Sequence, residues 1–368
     1  MPSCPTYEQW IQDQGIPIYR DYFVEDARDL KLEPWISREC NGAFLQLVGQ
    51  EGVVETRVIE IPPGKTLPPL KMGVDEAIYA VKGQGLTAVW GTQGGAKKTF
   101  EWNAHSLFLI PSNASYQMSN MSGTEPARLL IYSYLPVAVA ATTDIEFFIN
   151  NPYENPARLE ATEESFYSQA KAVKEDPNSF RAAGKIEQFW VGNFFPDLQA
   201  WDKLTPFYGR GAGGKAVYIH FPNSELTAHM SVFPSQTYKK AHRHGPGVVI
   251  IIPGGEGYSV MWPEGGEKVI VPWHEGSVFV PPNKYFHQHF NLGGTPARYL
   301  AFHAPPQLKL SEKIEDIRRD QIEYTMESGD VRERFEGELA KRNLTSLMPA
   351  QAYESETYEW QYETTTPA

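Results

Sequence analysis

The chain has 368 residues, 41% of them apolar and 13% aromatic, and carries a net charge of −12. That length suffices for two domains of ordinary size, each with its own core. The acidic balance excludes a general affinity for nucleic acid, which needs a basic footprint, and no run approaches the ~20 apolar residues of a membrane span.

Cys4 and Cys40 are the only cysteines, too few for a disulfide scaffold or a Cys-rich metal site. The start, MPSCPTYEQW, lacks the basic segment and apolar run of a secretory signal. A cytoplasmic, reducing setting is therefore expected, and the Asn-x-Ser/Thr triplets at Asn113, Asn120 and Asn343 are read as chance.

Residues 1–50 read as an arm, with a polar helical start from Tyr7 to Gln14 and an irregular run through Pro34 and Trp35. Across 51–140, short strand-like runs alternate with turn signals at Pro62-Pro63-Gly64, Gly83-Gln84-Gly85, Gly94-Gly95 and Pro111, the rhythm of an antiparallel sandwich or barrel. Residues 141–208 form a connector with Asn-Pro pairs and a helix-prone charged stretch from Ala161 to Lys174. Residues 209–306 repeat the β pattern, and 307–368 form a charged, helical tail. In that tail Asp330 and Glu333 fit a capping box, and Val331, Phe335 and Leu339 make one apolar stripe. The stripe is expected to pack on its own barrel or on a sister subunit, and the final ETTTPA to fray.

The two β-rich segments are copies. Trp90 and Trp262, Trp102 and Trp273, Asn120 and Asn291, and the Pro-Ala-Arg tripeptides at Pro126 and Pro296 recur at a nearly constant interval. The later copy reads HRHGPGVVIIIPGGEG and then GSVFVPPNKYFHQHFN; the earlier one reads LKMGVDEAIYAVKGQG and HSLFLIPSNASYQMSN. Only the later copy keeps histidines at the motif positions, which points to one metal site per chain. Alternate residues of a strand share a face, so His242 and His244 project together, and His287 and His289 form a second such pair. Imidazole accepts Fe, Mn, Ni, Cu and Zn.

These segments resemble the two motifs of the cupin superfamily: His242, His244 and Gly255 in the first, Gly276, Pro282, His287 and Asn291 in the second. The resemblance covers about half of the chain and implies an all-β protein of two tandem cupin barrels (double-stranded β-helix, jelly-roll), a bicupin. It also implies a metal held by His242, His244 and His287. The glutamate of the family motif is replaced by Val248, as in the three-histidine cupins that include gentisate and related aromatic-acid dioxygenases. In the first copy the corresponding positions are Leu70, Met72, Glu76 and Tyr116, so that half is expected to hold no metal and to be structural, an oligomerisation platform or a metal-free pocket.

Three neutral ligands leave the full charge on the ion and favour a bidentate anionic substrate. The resemblance implies O2-dependent C–C cleavage of an aromatic hydroxy acid or enolised dicarbonyl, with Fe(II) as the foremost cofactor and Mn, Ni or Zn as others. The alternatives are a lyase, isomerase or decarboxylase that uses the metal as a Lewis acid without O2, and a non-catalytic ligand-binding bicupin. Val248 counts against the oxalate-decarboxylase type, which keeps the glutamate. His289 is either a fourth ligand or an acid/base beside the substrate; the family motif has a single histidine there, which favours the acid/base role. Tyr258, Trp262 and Arg298 are candidate substrate-binding residues, although Arg298 repeats Arg128 and so also suggests a shared salt bridge. Lys239, Lys240 and Arg243 read first as solvated charges, and His220, His229, His274 and His303 as incidental. The segment Gly209–Ala216 satisfies a phosphate-loop pattern but precedes a strand, and is read as a connection. The expected partners are a small-molecule substrate, O2 and further copies of the chain, as homo-oligomers are common among bicupins.

Overall fold

The computed structural model describes residues 4–160, 166–168, 170–174, 188–207, 209–305 and 319–362. It contains two tandem cupin barrels, each made of a larger and a smaller sheet. In the first, the larger sheet is built around Cys40–Leu45, Glu55–Ile61, Ala127–Ser133, Glu76–Lys82 and Leu107–Ile110. The smaller sheet comprises Leu70–Lys71, Ser115–Asn120, Gln84–Trp90 and Lys98–Asn103. The second barrel repeats this with Lys215–His220, Thr227–Phe233, Ala297–His303, Val249–Gly254 and Val278–Phe279 facing Val269–His274, Glu256–Trp262, Phe286–Asn291 and Ala241–His242.

The larger sheets are buried on both faces, and their sequence reflects it. Glu55–Ile61 and Ala127–Ser133 are apolar or internally paired almost throughout, whereas Lys98–Asn103 alternates buried and exposed residues at the surface. One face of each large sheet fills its own barrel; the other packs on its counterpart, where Tyr132 stacks on Phe302 with ring centroids 5.2 Å apart. The closing glycines of the two motif copies are equivalent: Gly83 and Gly255 have φ of 86° and 98°, and a Cβ at either would meet Ala127 or Ala297 within 3 Å.

The arm and the connector are less separate than their sequence suggests. Phe23–Val24 of the arm joins the second barrel by pairing with Val278–Phe279, and Phe194–Phe195 of the connector joins the first by pairing with Leu107–Phe108. Each barrel thus receives an edge strand from the segment preceding the other. The end of the expected helix over 161–174 is instead extended, since Lys171–Lys174 is a strand paired with Gln188–Val191, and a short helix spans Pro156–Glu160. Residues 161–165 and 169 lie outside the described residues.

The tail belongs to the second barrel. Gln321–Ile322 adds a strand beside Ala241–His242. The helix Gly329–Ala340 starts from Ser328 rather than from a capping box at Asp330, whose carboxylate instead pairs with Lys268. Phe335 and Leu339 are fully buried against Tyr238, Tyr258 and Phe290, each burial stabilising by about 1.5–3 kcal/mol. No helix among the described residues is long and apolar enough to cross a membrane.

Candidate metal centre

Strand pairing brings the two histidine motifs together. His242 and His287 are direct partners across neighbouring antiparallel strands, with ring centroids 4.2 Å apart; His244 lies 4.7 Å from His287. Among the described residues these three form the one group able to hold a metal ion, their ligand atoms all within 4.8 Å of one another. A first-row ion about 2.1 Å from each nitrogen holds its donors about 3–3.4 Å apart, so small ring movements close this group around an ion.

The chemistry of the donors fits such an ion. His244 Nδ1 is 2.8 Å from the Gly245 carbonyl and His287 Nδ1 is 3.3 Å from the Tyr285 carbonyl. With Nδ1–H donating there, each ring offers a bare Nε2. His242 Nδ1 is buried without a hydrogen-bond partner, a cost that coordination would remove. Burial pushes the His242 and His287 pKa values well down, and Arg210 and the other histidines push them further. These imidazoles are therefore neutral ligands at neutral pH. Val248, at the position that Glu76 holds in the first barrel, is buried.

His289 stands outside that group, its ring 5.5 Å from His287. Its Nδ1 is 2.7 Å from Ser259 Oγ, which accepts the indole N–H of Trp273 at 3.1 Å. Indole only donates, so the serine proton is free for Nδ1 and the histidine keeps its own on Nε2. Burial, Lys239 and His244 push the His289 pKa down to about 3. The outcome is a fixed, neutral imidazole with one N–H beside the metal position.

Lys239 corrects its reading as a surface charge, for it is 1% exposed. Its Nζ donates to Ser231 Oγ and, at 3.2 Å, to Tyr299 OH, and it lies 4.4 Å from the centre of the Phe207 ring. Burial and then Arg210 push its pKa well down. The Tyr299 ring lies 4.8 Å from that of His289, which connects this amine to the metal side of the barrel. Arg210 comes from the Gly-rich segment read as a mere connection, and its guanidinium also donates to Gln321 of the tail at 2.9 Å.

The expected substrate-binding residues are placed elsewhere. Ser259 and Met261 are the residues opposite His289 and His287, so Tyr258 and Trp262 point to the other face. There Tyr258 stacks on Phe290 at 4.5 Å in the cluster under the tail helix, and Trp262 lies beside Phe286. Arg298 also faces away, donating to the Trp201 carbonyl at 2.7 Å, while its neighbour Tyr299 faces the histidines. Its first-barrel counterpart Arg128 pairs with Glu60 at 2.6 Å, whereas Arg298 lies opposite Val232, so the salt bridge is not repeated. His229 and His303, read as incidental, lie 2.7 Å apart between ring nitrogens.

The first barrel shows what becomes of the site without histidines. Tyr116 is register partner to Leu70, as His287 is to His242. The retained Glu76 accepts the Tyr116 hydroxyl at 2.7 Å and pairs with Arg57, which also pairs with Glu55. A buried guanidinium and its carboxylates thus neutralise one another there. The same copy reveals what sequence comparison overlooked. Leu129 pairs with Ile59 as Tyr299 does with Ser231, and Leu67 N–H donates to the Met118 carbonyl as Lys239 N–H does to that of His289. Four apolar positions of one barrel are therefore Lys239, Ser231, Tyr299 and His289 in the other.

No family model matches this sequence, and no curated protein matches it. Among solved structures, the chain is similar to the oxalate decarboxylase of Lactobacillus farciminis in a formate complex, with a TM-score of 0.47 and 14% identity over 76% of this chain and 85% of that one. It is also similar to the oxalate decarboxylase of Bacillus subtilis, studied for its Mn(II) centres, with a TM-score of 0.45 and 14% identity over 75% of each chain.

Proposed function

We propose that this protein is a metal-dependent enzyme in which His242, His244 and His287 hold one divalent ion and a small chelating anion reacts beside it. The observation that carries this reading is the convergence of three neutral imidazoles, one with an orphaned buried nitrogen, in a barrel whose family carboxylate is Val248. When bound, the ion supplies a Lewis acid that polarises substrate oxygens.

The chain's own groups support Lewis-acid chemistry of the lyase or decarboxylase kind over O2-dependent cleavage. Such reactions build negative charge on the substrate as the bond to carbon breaks, and a fixed N–H stabilises that charge. His289 holds an N–H in fixed orientation through Ser259, and the Tyr299 hydroxyl and Lys239 amine lie behind it. The apolar wall of Val248, Ile250 and Phe279 limits water in the same space, which strengthens each polar contact. These imidazoles accept Fe(II), Ni(II) or Zn(II) and, less tightly, Mn(II).

The test combines elemental mass spectrometry on anaerobically purified protein with assays on small keto and hydroxy acids, run with and without O2. One divalent ion per chain with turnover that persists without O2 supports the proposal. Substrate-dependent O2 uptake would replace it with the dioxygenase reading, and absence of metal with that of a binding protein. His289→Ala should keep the ion and lose about 10²–10³-fold in kcat, the worth of one donor aimed at developing charge.

A further inference from the structure

Charge in the two barrels is balanced in different ways. In the first, the buried cation Arg57 is met by Glu55 and Glu76 inside the same barrel. In the second, Lys239 is as deeply buried, but its hydrogen bonds go to the hydroxyls of Ser231 and Tyr299. Among the described residues no carboxylate pairs with it, and Arg210 adds a further positive field. Imidazole binds a metal as a neutral ligand, so an ion bound there contributes its full charge. Val248 removes the carboxylate that the first barrel keeps as Glu76. The metal position at one end and the Lys239 amine at the other both lack a counter-charge, and an anionic ligand supplies it as the amine takes up its proton, because a buried charge without a counter-charge is costly.

The Lys239 amine is also specific to the histidine-bearing copy. Lys239 occupies the backbone position of Leu67, and its partners Ser231 and Tyr299 occupy those of Ile59 and Leu129. The polar set and the metal ligands therefore occur together in one copy and are absent together from the other. A lysine needed only for packing would have no reason to follow the histidines. His289 touches both ends, with its ring 5.5 Å from that of His287 and 4.8 Å from that of Tyr299.

Building on the proposed metal centre, we propose that the substrate is a dianion: one end chelates the ion, and a distal carboxylate is bound by the Lys239 amine and the Tyr299 hydroxyl. Lys239 is then the residue that selects a diacid over a monoacid with the same chelating head. The amine meets a carboxylate in a site shielded from water, where charge-assisted hydrogen bonds are at their strongest.

The experiment uses the full chain loaded with Mn(II) and three probes that share an α-keto-acid head: pyruvate, ketomalonate and α-ketoglutarate. Affinities come from titration calorimetry, and the change in the Mn(II) paramagnetic resonance spectrum reports whether the head reaches the ion. At least one diacid should bind about tenfold or more tighter than pyruvate, the worth of one good charged contact. Lys239→Met should reduce that preference to about twofold or less, leaving Mn content and pyruvate affinity unaltered. Equal binding of pyruvate and both diacids to the wild-type protein overturns the proposal without any variant, so it stays testable should Lys239→Met not fold. A diacid preference that survives in Lys239→Met also overturns it. If pyruvate binds and perturbs Mn(II) in either case, the metal reading stands while the role of Lys239 fails. If neither Mn(II) nor Fe(II), Ni(II) or Zn(II) is retained, both fall.

Discussion

His242 and His287 are register partners across a strand pair, and Leu70 and Tyr116 hold the same pairing in the other barrel. One scaffold position thus carries a metal-ligand pair in one copy and an apolar-phenol pair in the other. Replacing His242, His244 or His287 with Ala should abolish metal retention with little loss of secondary structure. Tyr116→Ala should leave metal content unaltered. Elemental analysis with circular dichroism checks both.

The Arg57 network should be structural. Removing the guanidinium leaves Glu55 and Glu76 buried and unpaired, so Arg57→Ala should lose about 3–5 kcal/mol in denaturant unfolding. Tyr116→Phe removes a single hydrogen bond to Glu76 and should lose about 1.5–3 kcal/mol.

Lys239 should make stability rise with pH. Burial and Arg210 hold its folded pKa well below 10.5, so the unfolded chain binds the extra proton. Its penalty is full at pH below the folded value and fades as pH climbs towards 10.5. Lys239→Met should flatten that slope and stabilise the metal-free protein at pH 7 by about 1–3 kcal/mol. Melting temperatures across pH would show it, and a lower stability in the variant would contradict it.

Glu327 gives the opposite slope. Burial raises its pKa to about 7, although Tyr238 OH and Gln288 Nε2 both donate to it. A raised carboxyl contributes stability that is full below the ordinary value of 4.5 and is lost as pH rises through about 7. Glu327→Gln should therefore raise Tm at pH 8 and leave it nearly unaltered at pH 4.

The tail should hold the metal side in place. Gln321 pairs with His242, Asp320 binds Arg243 at 2.7 Å, and the helix beyond is anchored by Phe335. Phe335→Ala should lose about 3–5 kcal/mol and speed release of the ion to a chelator. An unaltered release rate would separate the helix from the site.

The ligand triad was legible in the sequence because strand geometry is local. A spacing of two residues puts His242 and His244 on one face whatever surrounds them, and the duplication identified the emptied copy by simple alignment. The two barrels followed from the same repeat. Facing and burial were not local. Tyr258 and Trp262 look like pocket residues in a linear reading, and only the pairing of Ser259 with His289 shows that they point away. Lys239, flanked by polar neighbours, reads as a solvated charge until Ser231, Tyr299 and Phe207 close over it from separate segments. The sequence by itself determined which side chains could bind a metal and in which copy. The tertiary structure decided which charges lie inside with them, because burial is set by strands far apart in the chain that meet only when the barrel closes.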